Sequence, residues 1–281
     1  MSGRPLLEGR GVSKYFGGLR VLRDVHFAVA EGERLSFGHL ANPAFATEIS
    51  RIDALPHQRV AVYDHMLRHF PLRFLLADDA GAGKTTLFNL ISGLLRPSSG
   101  SIRMADQELT TLPPYRICRL GVGRTFQTPR PFLDSSVAEN IRTAALFSKH
   151  GSAAPGDLLR LVGLDDQAGV TARHLPGPRR KLLELAMALA LAPRILLLDE
   201  ILGGLTPAET GRFAQLLRRI RDERGITLFW IDHVMWAVME TAERVIVIHH
   251  GEVICEGDPT SVSRDARVLS AYLGHPAQHK T

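Results

Sequence analysis

Six consecutive residues in the first third of the chain have the composition of a phosphate-binding loop. Glycines let a backbone curl so that successive N–H groups point inward, and a following helix adds the positive end of its dipole. In that arrangement Lys84 would reach the β- and γ-phosphates of a nucleotide and Thr85 would hold Mg²⁺. The residues are Gly81, Ala82, Gly83, Lys84, Thr85 and Thr86.

The residues before this loop depart from the usual phosphate-loop pattern. The first glycine of the pattern is replaced by Asp78, and Asp79 follows it. Two carboxylates that pointed at bound phosphates would be unfavourable. A glycine-rich turn before a core helix is the alternative interpretation. The apolar run RFLLA before the loop and LFNLISGLL after it predict strand, loop and helix, which favours phosphate binding.

Further along the chain, candidate catalytic and Mg²⁺-binding residues lie at or near the ends of apolar runs. ILLLDE predicts a buried strand whose end carries Asp199, suited to Mg²⁺, and Glu200, suited to polarise an attacking water. His233 ends the next apolar run and could contact the γ-phosphate or fix the water. Gln127 could ligate Mg²⁺ or sense the γ-phosphate. Taken alone, Asp199 and Glu200 are also compatible with two solvated acids at a strand end. His233 alone is better explained as a satisfied edge histidine, and Gln127 alone as a surface glutamine.

Composition is that of an ordinary globular protein. The 281 residues are 45% hydrophobic and 22% charged, with no apolar run near the roughly 18 residues of a membrane span. No signal peptide is evident, so a cytoplasmic location is expected. The two cysteines do not have a metal-binding spacing and predict reduced thiols. The net charge of +5 could attract nucleic acid or an anionic membrane, but the charges are dispersed, which favours a solvated surface.

The order of elements predicts a mixed α/β architecture. Residues 6–34 read as antiparallel strands, 36–72 as a helical segment, and 134–190 as a helical region. The remainder alternates buried strands with amphipathic helices and ends in a hairpin that turns at His250 and Gly251.

Taken together, the motifs resemble the ATP-binding subunits of ABC transporters, in particular the branched-chain amino acid importer type. The matching stretches are GVSKYFGGLRVLRDVHFAVAEGE, GAGKTTLFNLISGLLRPSSGSIRM, LGVGRTFQTPRPF, LALAPRILLLDE, GLTPAET, RDERGITLFWIDHVMWAVM, GEVICEGDP and VLSAYLG. The resemblance implies a P-loop NTPase fold of the ABC ATPase class over residues 6–275. Its parts would be a mixed core sheet, an antiparallel β subdomain and a helical subdomain at 134–190.

The resemblance also implies roles for single residues. Phe16 would stack on adenine, and Lys84 and Thr85 would be the phosphate-loop lysine and Mg²⁺ ligand. At the matching positions, Gln127 would be the Q-loop glutamine, Asp199 the Walker B aspartate, Glu200 the general base and His233 the switch histidine. Two such subunits would bind head to tail around two ATP molecules and drive two membrane-spanning permease subunits. A periplasmic or extracellular solute-binding protein would act indirectly.

Two positions depart from that family at the expected contact between subunits. The glycine-rich signature turn keeps Gly177, but Pro178 has no N–H to donate. Arg179 and Arg180 could supply positive charge instead. Thr206 stands where Asn or Asp is usual.

The largest departure is an extra segment before the phosphate loop. Residues 36–80 resemble the start of a Swi/Snf-type helicase-like ATPase, in which a glutamine (here Gln58) contacts adenine and the loop reads ADD before GAGKT. We therefore expect a helical insertion at 36–72. Residues 73–77 would replace the strand lost before the loop.

The sequence predicts an ATP-hydrolysing importer subunit at the inner face of the membrane, for branched-chain amino acids or similar solutes. One alternative is a subunit with little hydrolysis of its own, active only with an intact partner in a homo- or heterodimer. A nucleic-acid-dependent ATPase is a second alternative. It draws only on the extra segment and the basic charge.

Overall fold

The structure is a computed structural model that describes residues 5–16, 19–31, 34–38, 84–149, 151, 153–232 and 234–273. Two sheets and a group of helices make up these residues. No helix in the described ranges is long and apolar enough to cross a membrane.

Among the described residues, the first sheet is antiparallel and has four strands in the order β2, β1, β4, β5. Its strands are β1 (Leu7–Phe16), β2 (Leu19–Val29), β4 (Ser99–Met104) and β5 (Gln107–Glu108). Alternating burial along β1 places one face of this sheet on the core, as expected for an antiparallel sheet with one solvated side.

In the part of the chain that the structure describes, the second sheet has six strands in the order β10, β9, β3, β8, β7, β6. The five strands from β9 to β6 run parallel, and β10 pairs antiparallel with β9. The strands are β3 (Arg34–Gly38), β6 (Val122–Arg124), β7 (Ile195–Asp199), β8 (Thr227–Asp232), β9 (Arg244–His249) and β10 (Glu252–Gly257). All residues of β7 and β8 are buried, which is the pattern of strands covered on both faces.

Helices cover the second sheet and form a separate layer beside it. They are α1 (Lys84–Ile91), α2 (Pro114–Arg119), α3 (Val137–Ala145), α4 (Pro155–Val162), α5 (Gly177–Ala190), α6 (Pro207–Arg224), α7 (Met235–Thr241), α8 (Pro259–Val262) and α9 (Ala266–Leu273). The helices α3, α4 and α5 pack against one another and lie within the range 134–190, for which a helical subdomain was expected.

Two buried cores hold these layers together. One joins the antiparallel sheet, α1 and one face of the second sheet, and the ring of Phe229 contacts those of Phe27 and Phe88 at its centre. The other joins α3, α4 and α5 to the opposite face of the second sheet. The helical layer is therefore fixed to the same strands that carry the site.

The position of β3 corrects one expectation from the sequence. β3 lies between β8 and β9, and its last residue, Gly38, pairs with Asp232 at the end of β8. Arg34–Gly38 therefore supplies the strand before the loop, which was expected to be lost and replaced by residues 73–77. The first three residues of the expected helical segment 36–72 belong to this strand. The remainder of that segment, Gln58, Asp78 and residues 73–77 lie outside the described residues.

Candidate functional site

The carboxyl ends of the parallel strands bring two sequence-predicted residues together. Asp199 ends β7, and Thr85 lies in the first turn of α1. The hydroxyl Oγ1 of Thr85 donates a hydrogen bond to Oδ1 of Asp199 at 3.3 Å. Two of the three predicted Mg²⁺ ligands are therefore adjacent, although they lie 114 positions apart in the sequence.

Asp199 is almost fully buried, and a cation that the sequence reasoning missed stabilises it there. Its Oδ2 lies 3.0 Å from Nη2 of Arg124, and the side chains are only 1% and 7% exposed. The other guanidinium nitrogen, Nη1, donates to Oγ of Ser92 at 2.7 Å. Burial raises the pKa of Asp199, and the charge and hydrogen bond of Arg124 oppose that rise. The sequence signal that could have identified Arg124 is its position three residues before Gln127.

The next residue, Glu200, has an unusual backbone conformation. Its φ is +48°, and its N–H donates to the carbonyl of Ile231 on β8 at 2.7 Å. A positive φ at a residue other than glycine costs roughly 1–3 kcal/mol, and such residues concentrate at functional sites. The turn directs the chain out of the sheet immediately after Asp199.

Gln127 and Glu200 are in direct contact. Nε2 of Gln127 donates to Oε2 of Glu200 at 2.6 Å. The amide oxygen of Gln127 is then the atom suited to a cation, and the second carboxylate oxygen of Glu200 is suited to a water. The structure thus joins two residues whose roles were predicted separately.

Oxygen ligands of this kind fit Mg²⁺. The hydroxyl of Thr85, the carboxylate of Asp199 and the amide oxygen of Gln127 are hard donors, which Mg²⁺ supplements with water and substrate phosphates. Within the described residues, no group of three or more His, Cys, Asp and Glu could hold a metal. A cage built from protein alone is not what this ion requires, so the donor set agrees with a nucleotide-bound Mg²⁺.

The other predicted nucleotide contacts are placed only in part. α1 begins at Lys84, and Thr86 is buried in its first turn. Phe16 ends β1 with 47% of its surface exposed, and Nζ of Lys14 lies 5.1 Å from its ring centroid. An exposed ring of this kind is able to stack on a base. Gly81, Ala82, Gly83 and His233 lie outside the described residues, and their roles stay predictions.

The expected signature turn opens α5 without a side-chain cap. Pro176 precedes the helix, and Pro178 occupies its first turn. Arg179 contacts Asp166, with 3.4 Å between Nη1 and Oδ1, and Arg180 donates to the carbonyl of Arg173 at 2.6 Å. Both guanidinium groups are therefore engaged within their own helical layer.

Thr206, the other departure at the subunit contact, has a local structural role. It is the N-cap of α6 and forms a capping box with Glu209. Its Oγ1 accepts from the N–H of Glu209 at 3.3 Å, and Oε2 of Glu209 accepts from the N–H of Thr206 at 2.8 Å. Threonine is among the residues that favour this position.

Comparisons with known proteins agree with these features. Residues 74–203 match the ABC transporter family model, and residues 252–278 match that of the branched-chain amino acid ATP-binding cassette transporter. The chain is 34% identical over 213 residues to the high-affinity branched-chain amino acid transport ATP-binding protein LivG of Escherichia coli K12, covering 69% of this chain and 84% of LivG. It is 29% identical over 290 residues to BraF of Pseudomonas aeruginosa, a protein of the same description, covering 96% of this chain and 98% of BraF.

Solved structures support the fold. An ATP-binding cassette of an ABC transporter in its ADP conformation superposes with a TM-score of 0.74 at 22% identity, over 97% of this chain and all of that one. A nucleotide-free cassette gives a TM-score of 0.73 at 22% identity, over 96% of this chain and 99% of that one. The predicted fold class, a P-loop ABC cassette, is confirmed; the helical insertion is not covered by this finding. The chain belongs to the ABC transporter family of ATPases, among the ATP-binding proteins of branched-chain amino acid transport.

Proposed function

We propose that this chain binds ATP with Mg²⁺ and hydrolyses it to drive uptake of branched-chain amino acids or similar solutes. The observation that carries the proposal is the convergence of Thr85, Asp199, Glu200 and Gln127 at one edge of the sheet. Membership of the family supports the transport role, and the names of LivG and BraF support the class of solute.

The geometry suggests how the residues divide the chemistry. Glu200 would accept a proton from the water that attacks the γ-phosphate, and its bond to Gln127 would hold the carboxylate in place. Thr85 and Gln127 would hold Mg²⁺ directly, and Asp199 would hold it directly or through water. When bound, the ion would neutralise charge on the phosphate oxygens. Lys84 and the phosphate loop would position the nucleotide, and Phe16 would stack on adenine.

ATP binding by the purified chain, compared with its Lys84→Ala variant, tests the proposal. We expect saturable, Mg²⁺-dependent binding that the substitution weakens strongly, because it removes the cation from the phosphates. Glu200→Gln should retain binding and lose turnover, since it keeps the shape of the side chain and removes the base. A folded wild-type chain that binds no ATP would contradict the proposal.

Partners follow from the same function. A second ATP-binding subunit would complete the nucleotide sites, and membrane-spanning permease subunits would hold the chain at the inner face of the membrane.

Four exposed apolar side chains on the helical layer and the segment leading to it suit contact with a permease. They are Phe132, Leu133, Leu146 and Phe147. Co-purification with the permease subunits, reduced by Phe132→Asp, would test this contact. A solute-binding protein would act through the permease.

A second candidate is a subunit with little hydrolysis of its own. The observation that favours it is the start of α5, where Pro176 and Pro178 supply no N–H and Arg179 and Arg180 face their own layer. In a head-to-tail dimer this turn would serve the partner's nucleotide, so a homodimer would have two weak sites. Low activity alone that rises on mixing with an intact second subunit supports this candidate. High activity of the isolated chain contradicts it.

A further inference from the structure

The helix α5 carries two charged side chains, three residues apart, that bind two different loops of the site. Glu184 binds the loop that contains Gln127, and Lys181 binds the turn that follows Glu200. Residues three apart lie on the same face of a helix, so one face of α5 reaches both loops.

Glu184 holds the Gln127 loop at both ends. Its Oε2 accepts a hydrogen bond from the backbone N–H of Phe126 at 3.1 Å, and its Oε1 accepts one from the N–H of Arg130 at 3.0 Å. Glu184 is only 6% exposed. The guanidinium of Arg130 also lies 4.9 Å from the ring centroid of Phe126, so the two residues bound by Glu184 contact each other. One buried carboxyl group therefore binds a backbone N–H on each side of Gln127, that of Phe126 before it and that of Arg130 after it.

Lys181 holds the turn after Glu200. Its Nζ donates to the carbonyl oxygen of Ile201 at 2.9 Å and to that of Gly203 at 2.5 Å. The same turn is bound from the sheet, because the N–H of Leu202 donates to Oδ2 of Asp232 at 2.8 Å. The path of the chain beyond Glu200 thus depends on a cation from α5 and an anion from β8.

We propose that Glu184 and Lys181 are positioning residues that tie the placement of Gln127 and Glu200 to the placement of α5. This inference rests on the proposed function. The two loops meet at the contact of 2.6 Å between Gln127 and Glu200, so a shift of α5 moves both sides of that contact. Apolar packing would hold α5 against the sheet without selecting these backbone atoms. Side-chain hydrogen bonds to four named backbone atoms do select them.

The test compares Glu184→Gln with the wild type in the full chain. The amide keeps one acceptor oxygen and places an N–H₂ group against the other backbone N–H, so one of the two bonds is lost. We expect faster hydrogen exchange in a peptide covering 125–131, with exchange in β7 unchanged. We also expect kcat for ATP hydrolysis to fall about tenfold with little change in KM, because misplacement costs turnover while Lys84 and Phe16 still bind the nucleotide.

Glu184→Ala should produce a larger effect on both readouts, since it removes both acceptors. Glu223→Gln is the matched control: Glu223 is exposed and pairs with Arg219 on α6, so both readouts should stay at wild-type values. If the Glu184 variants do not fold, Lys181→Met supplies the test, with faster exchange expected over 200–204 and a lower kcat.

Wild-type exchange and wild-type kcat in a folded Glu184→Gln protein would overturn the positioning role of Glu184. Wild-type exchange over 200–204 and wild-type kcat in a folded Lys181→Met protein would overturn the positioning role of Lys181. If the wild-type chain binds no ATP, the proposed function fails, and hydrogen exchange alone then decides whether α5 restrains the two loops.

Discussion

Arg124 is the cation that compensates for the burial of Asp199. A buried ion pair is a weak source of net stability, but removal of one partner leaves an uncompensated charge and typically costs about 3–5 kcal/mol. Arg124 also bonds Ser92, so its guanidinium bridges the end of α1 to the end of β7. The side chain that fixes the aspartate also fixes the helix that follows the phosphate loop.

Replacement of Arg124 by Met should therefore lower the free energy of unfolding by about 3–5 kcal/mol, measured by urea denaturation at neutral pH. Arg23→Met is the matched control, because Arg23 pairs with Glu252 at 3.0 Å with both side chains about half exposed. We expect a loss of less than about 1 kcal/mol there. Equal losses in the two variants would contradict the role assigned to the buried pair.

Glu184 predicts a dependence of stability on pH. Burial raises the pKa of its carboxyl to about 7, and its hydrogen bonds from Phe126 and Arg130 oppose the rise. A carboxyl whose pKa is higher in the folded state stabilises that state at low pH, and the contribution is lost as pH rises through about 7. Between about pH 5 and 8 the wild type should lose stability relative to Glu184→Gln, by about 1–3 kcal/mol.

Urea denaturation across that pH range measures the difference. In the control, Glu139→Gln, the hydrogen bonds of Ser136 lower the pKa of the wild-type carboxyl, so its contribution is lost only at lower pH. The difference between that variant and the wild type should be flat from about pH 5 to 8. A flat difference for Glu184→Gln as well would show that its pKa is not raised.

Residue types, their order and the family resemblance predicted Thr85, Asp199, Glu200 and Gln127 as a site; the structure places them in contact in pairs, and their roles stay predictions. Arg124 and Glu184 were not predicted, because their importance comes from burial and from contacts with residues 75 and more than 50 positions away. A sequence presents each of them only as a charged residue in an apolar neighbourhood. The contact between Gln127 and Glu200 was likewise beyond prediction, since it joins side chains 73 positions apart in the sequence.

At the scale of elements, β3 is where sequence reasoning failed. The strand RLSFG was included partly in a segment expected to be helical, because the usual glycine loop does not follow it. Its place is decided by pairing: Leu35 lies opposite Phe229 of β8 and Arg244 of β9. Such non-local pairing cannot be read from a run of five residues. The sheet edge that carries Asp199 is continuous across β3 as a result.

The start of α6 gives a prediction at the same scale. Thr206 caps this helix through its reciprocal bonds with Glu209, so Thr206→Ala should cost about 1 kcal/mol of stability in urea denaturation. Thr206→Asn should cost little, because Asn caps equally well. Ser136→Ala, which removes the same capping box from α3, should cost a similar amount. A neutral Thr206→Ala would mean that the residue is held for another purpose.

For the whole molecule, the site described here is half of what a cassette dimer would need. Gln127 and Glu200 follow the strands β6 and β7, whereas α5 belongs to the helical layer. The hydrogen bonds of Glu184 and Lys181 connect α5 to the loops of Gln127 and Glu200 within one subunit. Nucleotide bound between two subunits would then link the α5 of one subunit to the loops of the other.

Glu200→Gln should reveal that assembly. With the base removed and its shape kept, ATP would stay bound, and a head-to-tail dimer should accumulate on addition of ATP and Mg²⁺. Sedimentation velocity would detect a dimer with ATP and a monomer with ADP, and Lys84→Ala in the same background should abolish the dimer. If Glu200→Gln binds ATP but stays monomeric, the start of α5 with its two prolines does not complete a site in a second copy. Addition of an intact second subunit should then restore the dimer, which would identify the working assembly as a heterodimer.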